Sequence, residues 1–298
     1  MRFRNEPLGD KVFDILNMIF MTLMLFITFY PLYFIVIASI SGVNEVNNGL
    51  VWLYPKSLNF DGYLRMLKQS AVWRGYANTI VYTVLGTLIN LAVTLTAAFA
   101  LSRKSLYGRN VIMGIFVFTM YFGGGMIPTY FLIKNLRMID TLWAIIIPGA
   151  VSVYNLIVAR TFFSSSIPDG VLEAAKIDGC NDFTMFFKIV LPLSGAITAV
   201  LTLYYGVAHW NSYFNAMMYL NDRDKFPLQL ILREMLVQTE LMTELMQQGT
   251  IAENENAMKN IEAMKYGLII VSSAPVLMLY PFLQKYFVKG VMIGAIKE

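Results

Sequence analysis

Charged residues divide this chain into long uncharged stretches. Six of them, Ile15–Asn44, Gly75–Ser102, Asn110–Ile133, Thr141–Ala159, Ile189–Asn221 and Tyr266–Gln284, alternate with polar segments. Each reaches about the twenty residues that a helix needs to cross a hydrocarbon core of roughly 30 Å. In lipid every backbone N–H and C=O must be paired internally, and a closed β-barrel would show short alternating segments instead of long apolar runs. The pattern predicts an all-α, polytopic membrane protein with six transmembrane helices, at about 11–40, 75–101, 109–134, 141–163, 194–217 and 264–288. The first run exceeds the apolar core of a signal peptide and is expected to stay in the mature chain. Without a sequence repeat or low-complexity linker, residues 1–298 read as one membrane domain.

Breakers and small residues refine the picture. Pro31 predicts a kink in the first span, and the Ala, Thr and Gly of the second predict close packing inside the bundle. Gly123-Gly124-Gly125 with Pro128 predicts a break in the third, either lining a pathway, with Gly124 as its candidate residue, or packing against a neighbour. Pro148 falls in the fourth span. In the outer loop 41–74, Asp61–Lys68 reads as a short amphipathic helix capped by Asp61, with Tyr63, Leu64 and Leu67 on the membrane surface. A second outer loop, 218–263, carries apolar Ile231, Leu232, Met235, Leu236, Met242 and Leu245 at helical spacing, with Gly249 as a stop.

Composition agrees. With 57% hydrophobic and 14% charged residues and a mean hydropathy of +0.58, the chain is too apolar for water alone to be its solvent. A single cysteine, Cys180, excludes an internal disulfide and a multi-cysteine metal site, and a single histidine, His209, removes most metal and acid–base constellations. The 102–109 turn holds Arg103, Lys104 and Arg109 with no acid, which places it, and with six spans both termini, on the cytoplasmic side. The net charge of +4 follows from basic inner loops and needs no nucleic acid.

The segment 164–193 is a polar insert between apolar runs and reads as two short helices around a turn. Ser166 or Asp169 is a cap for the first, Glu173 lies near its positive N-terminal end, and Gly179 can take the left-handed conformation that stops it. Ala174 and Ala175 present a nearly bare surface suited to a groove. Asn181 or Asp182 caps the second helix, Phe183, Phe186, Phe187 and Ile189 anchor it under the membrane, and Pro192 opens the fifth span. Any one of these features alone fits an ordinary amphipathic connector. In the fifth span, Tyr205, His209 and Asn211 are candidate pathway residues because polar groups at membrane depth are functional by default, whereas Trp210 and Tyr213 read as an interfacial belt.

Taken together, Glu173-Ala174-Ala175, Asp178-Gly179 and, ten residues on, Ile189-Val190-Leu191-Pro192 resemble the cytoplasmic coupling loop of ABC importer permeases. Over its whole length the chain resembles a permease subunit of the carbohydrate-uptake ABC importers, maltose-permease-like and close to the LplC- and YtcP-type branch. The ending from Gln284 to Lys297 looks like the tail of that family, while Cys180 after Asp-Gly and the lack of a second proline soon after Pro192 depart from it. The resemblance implies a type I importer permease fold, with Glu173, Ala174, Ala175, Asp178, Gly179, Leu191 and Pro192 coupling to the ATPase. It implies two separate ATP-binding subunits that hold ATP and Mg, a homologous second permease forming a heterodimer, and an extracytoplasmic solute-binding protein. It also implies a bacterial cell membrane location, contact of the 218–263 loop with the binding protein, and a tail near the ATPase. The chain has no G-x-x-x-x-G-K-[ST] phosphate cradle, so it is expected to bind no cofactor and to catalyse nothing itself. An ABC permease for a non-sugar solute such as a peptide is the main alternative. A secondary transporter fits less well, because the six runs lack ionisable coupling-ion groups.

Overall fold

Isolated breakers are absorbed here, Pro31 in one long helix and Gly75 and Gly86 in another, whereas the Gly123–Gly125 cluster, Pro148 and Pro192 lie at or beside bends between paired helices. The computed structural model describes residues 7–247, 262–278 and 281, and among these all regular structure is helical. Two units are distinguished by their internal contacts, 1–69 with 234–272 and 70–233 with 273–298.

In the first unit, α1 (Leu8–Ser39) runs through Pro31 without losing its helical assignment. Most of its apolar side chains, Leu16, Phe20 and Phe26 among them, are exposed, and only its end, at Ile37 and Ala38, is enclosed. There Tyr63 donates to Ser39 Oγ at 2.9 Å and Phe34 meets Tyr266 edge to face. After the short α2 (Val43–Asn47), α3 (Asp61–Lys68) takes its expected place, but Asp61 does not cap it. Asn59 lies close enough to do so, its Oδ1 accepting the Asp61 N–H at 2.6 Å, so Asp61 becomes the first helical residue instead. Leu64 and Leu67 are exposed as expected, whereas Met66 faces inward.

The second unit is built on α4 (Ser70–Ser102), which crosses it as one helix. α5 (Arg109–Tyr121) and α6 (Met126–Asn135) follow, bent by 113° where Gly125 adopts φ +84°. At 13 and 10 residues they are about 20 and 15 Å long, so the 109–134 run is folded back on itself instead of crossing straight. α7 (Leu142–Ile146), extended through Pro148 by a 3₁₀ turn, and α8 (Val153–Ser166) are bent by 51°. α9 (Asp169–Ile177) and α10 (Asp182–Met185) make the polar insert, and α11 (Leu191–Leu193) leads into α12 (Gly195–Trp210). α12 stops before the expected 217, because Asn211 donates from Nδ2 to Val207 O and turns the chain into α13 (Phe214–Tyr219). α14 (Leu228–Gln247) begins in this unit, with Leu228, Leu230, Ile231 and Leu232 buried.

α1 and α4 are each long and apolar enough to cross a membrane, and three bent pairs pass the same test together. The expected sixth span, 264–288, is described as helix only to residue 278, and Gly249 and the tail Gln284–Lys297 lie outside the described residues. The small residues of α4 do what their size predicts: they let it pack closely on α12 and α8. At Gly86 a Cβ would stand 2.5 Å from His209 Nε2, so only glycine admits that ring. One core results, running from Leu95, Ala98 and Phe99 of α4 through Leu156, Ala159 and Phe163 of α8 to Ile197, Leu201 and Tyr205 of α12.

Candidate functional site

The 164–193 insert folds as two helices around a turn, and its backbone hydrogen bonds explain why. Gly179, at φ +78°, donates to Lys176 O at 3.0 Å, and Cys180 donates to Ala175 O at 2.9 Å. These two bonds satisfy carbonyls that the last turn of α9 would otherwise leave open, and they require a left-handed residue at Gly179. Asn181 Oδ1 then accepts the Thr184 N–H at 2.8 Å and caps α10. Neither Ser166 nor Asp169 caps α9: Pro168 occupies that position without a side-chain bond, and the Asp169 carboxylate meets Lys104 Nζ at 3.1 Å instead.

Beyond α10 the chain widens into one π turn, Phe186–Val190, where Leu191 donates to Phe186 O. Pro192 has no N–H and would crowd the carbonyl of Lys188 four residues before it, and the wider turn relieves that conflict. At Ser194, whose buried hydroxyl bonds Val190 O at 2.6 Å, the segment from Asp182 to Leu193 meets α12 at 84°. Leu191 and Pro192 therefore lie in the elbow that joins the insert to α12.

The two alanines part company. Ala175 is 4% exposed and packs with Leu172 into the main core, so it is not part of a bare outer surface as its neighbour is. One step along a helix rotates the face by about 100°, which turns Ala174 and Ile177 away from Leu172 and Ala175 and leaves Val171 at the edge between the two sides. Ile177 is 86% exposed, and Glu173 and Asp178 are exposed beside this apolar pair. The phenylalanines divide likewise, with Phe186 in the core and Phe183 79% exposed.

The basic turn backs this loop. Arg103 lies over the Phe99 ring at 5.0 Å and donates to Ser102 Oγ at 2.9 Å and to Phe163 O at 3.2 Å. Burial lowers its pKa from the ordinary arginine value, and the nearby Asp169 charge partly restores it. Between turn and insert lies a cavity of about 650 Å³, with Phe99, Met185 and Phe186 on its apolar side and Arg103, Lys176, Glu173 and Asp182 among its charged residues.

The candidate pathway residues do not converge. Tyr205 is buried: its hydroxyl shares a 2.7 Å bond with Thr94 Oγ1 and accepts the Ser152 N–H at 3.2 Å. His209 Nε2 meets Asn90 Oδ1 at 2.8 Å, and Asn90 Nδ2 donates to Gly149 O at 2.6 Å. Gly149 and Ser152 flank the α7–α8 break, so these side chains satisfy backbone groups that the break releases. Asn211 is exposed at the end of α12, and Gly124 is exposed at the α5–α6 break. Sequence reasoning missed Asn90 and Thr94, although two polar side chains in the uncharged run Gly75–Ser102 were the available signal.

A basic-backed helical insert on a bundle of long and broken apolar helices defines a multi-pass membrane protein with a surface loop tied into its core. Residues 91–293 match the family described as binding-protein-dependent transport system inner membrane component, and the chain belongs to that family. It is thus a permease subunit of an ABC importer, an inner membrane transport component. It is 38% identical over 289 residues to the polygalacturonan/rhamnogalacturonan transport system permease protein YtcP of Bacillus subtilis (strain 168), covering 97% of this chain and 99% of the relative. It is 36% identical over 293 residues to protein LplC of the same organism, covering 97% and 96%. A chain from the crystal structure of a bacterial ABC transporter involved in the import of the acidic polysaccharide alginate superimposes with a TM-score of 0.84 at 34% identity, covering 95% of this chain and 99% of that one.

Proposed function

We propose that this permease carries an oligosaccharide into the cytoplasm, using ATP hydrolysed on two partner subunits that engage the 164–193 insert. The observation that supports the coupling role best is the exposed pair Ala174 and Ile177 on a helix whose other side, Leu172 and Ala175, is part of the core. Exposed apolar residues of this kind beside charged neighbours suit a protein partner. In this reading Glu173, Ala174 and Asp178 lie at the contact with the ATPase. Ala175 and Gly179 hold the helix and its turn, Leu191 and Pro192 carry motion into α12, and the 650 Å³ cavity offers room for a partner segment. ATP and Mg belong to those subunits, and the chain binds no cofactor of its own.

A second, homologous permease completes the pore, and α1, with its exposed apolar surface, supplies area for lipid and for that partner. Six spans with both termini in the cytoplasm fit the basic 102–109 turn beside the ATPase contact. An extracytoplasmic binding protein delivers the solute. An oligosaccharide is favoured over a peptide because similar proteins are named for polygalacturonan, rhamnogalacturonan and arabinooligosaccharide transport.

The test is ATPase activity of the reconstituted complex, comprising both permeases and the ATPase, with binding protein and panels of oligosaccharides and peptides. Stimulation by an oligosaccharide class is expected. Stimulation by peptides alone overturns the substrate, and failure of the ATPase to assemble with the chain overturns the coupling role.

A further inference from the structure

Within the second unit the Arg233 guanidinium lies 5.3 Å from the centre of the Tyr213 ring and donates from Nη1 to Met217 Sδ. Arg233, Tyr213, Phe214 and Met217 are all exposed or partly exposed. Arg74 and Lys225, the cations bonded into the adjoining 222–226 segment, are neutralised, the first by Asp224 and the second by Asp140 and Asp222. Among the described residues Arg233 has no carboxylate partner.

The guanidinium lies over one face of the Tyr213 ring, which leaves the ring's edge and other face for a second part of the same ligand. The ring accepts the C–H face of a pyranose, and the planar fork of donors fits a carboxylate with two parallel bonds. A neutral sugar needs the ring and hydroxyl partners but no full charge, so an unneutralised arginine at an accessible aromatic is redundant for it. On α12, Tyr204, Ala208 and Asn211 recur at i, i+4 and i+7 on an exposed face.

Resting on the oligosaccharide reading above, we infer that Arg233 and Tyr213 form a subsite for the carboxylate-bearing residue of an acidic oligosaccharide. Tyr213, which reads from sequence as part of an interfacial belt, then stacks on the sugar, and Arg233 sets the preference for acid over neutral rings.

The test uses the complete complex held with ATP bound by a hydrolysis-deficient ATPase partner, so that binding can be measured without the binding protein. Fluorescent trigalacturonate and its methyl ester are titrated into wild type, Arg233→Gln and Arg233→Lys. Removing one charge-assisted, two-bond contact is expected to weaken trigalacturonate binding by about tenfold or more in Arg233→Gln. The methyl ester should be nearly unaffected, and Arg233→Lys should fall between. Equal binding of acid and ester by wild type, or equal loss of both in Arg233→Gln, overturns the subsite while leaving the oligosaccharide reading intact. Loss of the second permease from the purified Arg233→Gln complex also overturns it, because Arg233 would then serve the subunit interface. Wild-type complex that binds and imports no oligosaccharide at all sinks the functional reading itself.

Discussion

Gly179 offers the cleanest test of the insert, because its conformation can be perturbed without touching a neighbour. At φ +78° it sits where an L side chain is disfavoured by about 1–2 kcal/mol, and a Cβ built there meets no atom within 4 Å. The cost is therefore conformational and free of any clash. One to two kcal/mol lowers the ratio of formed to unformed turn by a factor of about 5–30, and a β-branched residue lies at or beyond the upper end. Opening the turn removes the Gly179 and Cys180 bonds to Lys176 and Ala175, and α9, only nine residues long, has little helical stability of its own. In proteoliposomes holding the full complex, uptake driven by loaded binding protein should fall in the order Gly, Asn, Ala, Val. Asparagine should be mild because it tolerates the left-handed region. Membrane insertion and expression should not change, since Gly179 lies outside the apolar runs. Wild-type uptake in Gly179→Val, or equal damage from Asn and Val, refutes the argument that this turn transmits coupling.

Other outcomes follow from the second unit. Asn90→Leu strips the partner from Gly149 O and from His209, and should lower the thermal midpoint of the detergent-solubilised complex by an amount matching about 1–3 kcal/mol. Gly86→Ala drives a methyl group to 2.5 Å from His209 and should cost about 1–3 kcal/mol in the same assay, whereas Gly206→Ala, 3.8 Å from Thr87 Oγ1, should be nearly silent. The Asp140 carboxyl lies below its usual range because Lys225 and the Asp222 and Asn221 N–H groups bond it. A lowered folded pKa means that its stabilisation is complete above about pH 4 and is lost as pH falls through the lower folded value, so proteolytic protection of the 220–226 segment should decline only in that acid range and lose that dependence in Asp140→Asn.

Much of this fold was legible because charge, glycine and proline act locally. The breaks near Gly123–Gly125 and Pro148 fall where those residues weaken a helix, and Asn181 caps α10 because its side chain reaches the N–H three residues on. The 113° and 84° bends were not legible, since a breaker removes helical constraint without setting a direction. Ala174 and Ala175 could not be told apart because both fall within the broad apolar arc of α9 that faces away from Asp169, Glu173 and Lys176, and that arc is wide enough to be half covered and half bare. The caps expected from Asp61 and Asp169 failed where a competing bond was available, since Asn59 reached Asp61 and Lys104 drew Asp169 away, whereas the Ser166 hydroxyl is buried without a partner among the described residues. For the candidate pathway residues the limit was range. Tyr205 and His209 are polar groups at depth, as expected, but their partners Thr94 and Asn90 lie 111 and 119 residues away in sequence.

Those long-range partners bear on how the proposed motion would travel. Leu172 and Ala175 of the insert share a core with Phe163 of α8, Leu95 of α4 and Leu201 of α12, and Tyr205 at the far end of that core bonds Ser152 at the α7–α8 break. Close-packed interiors transmit displacement instead of absorbing it, so a load on the exposed side of α9 reaches the break through side chains already in contact. At the break the chain has lost helical bonds, and its freed groups are held by Asn90, by Tyr205 and by the Ser152 hydroxyl that caps α8. That arrangement places stiffness in the core and compliance at residues 150–152. Reorientation of α7 and α8 about these polar anchors during transport predicts that loosening Asn90 alters transport as well as stability, while a truncation of exposed Phe183 should alter neither the core nor the break.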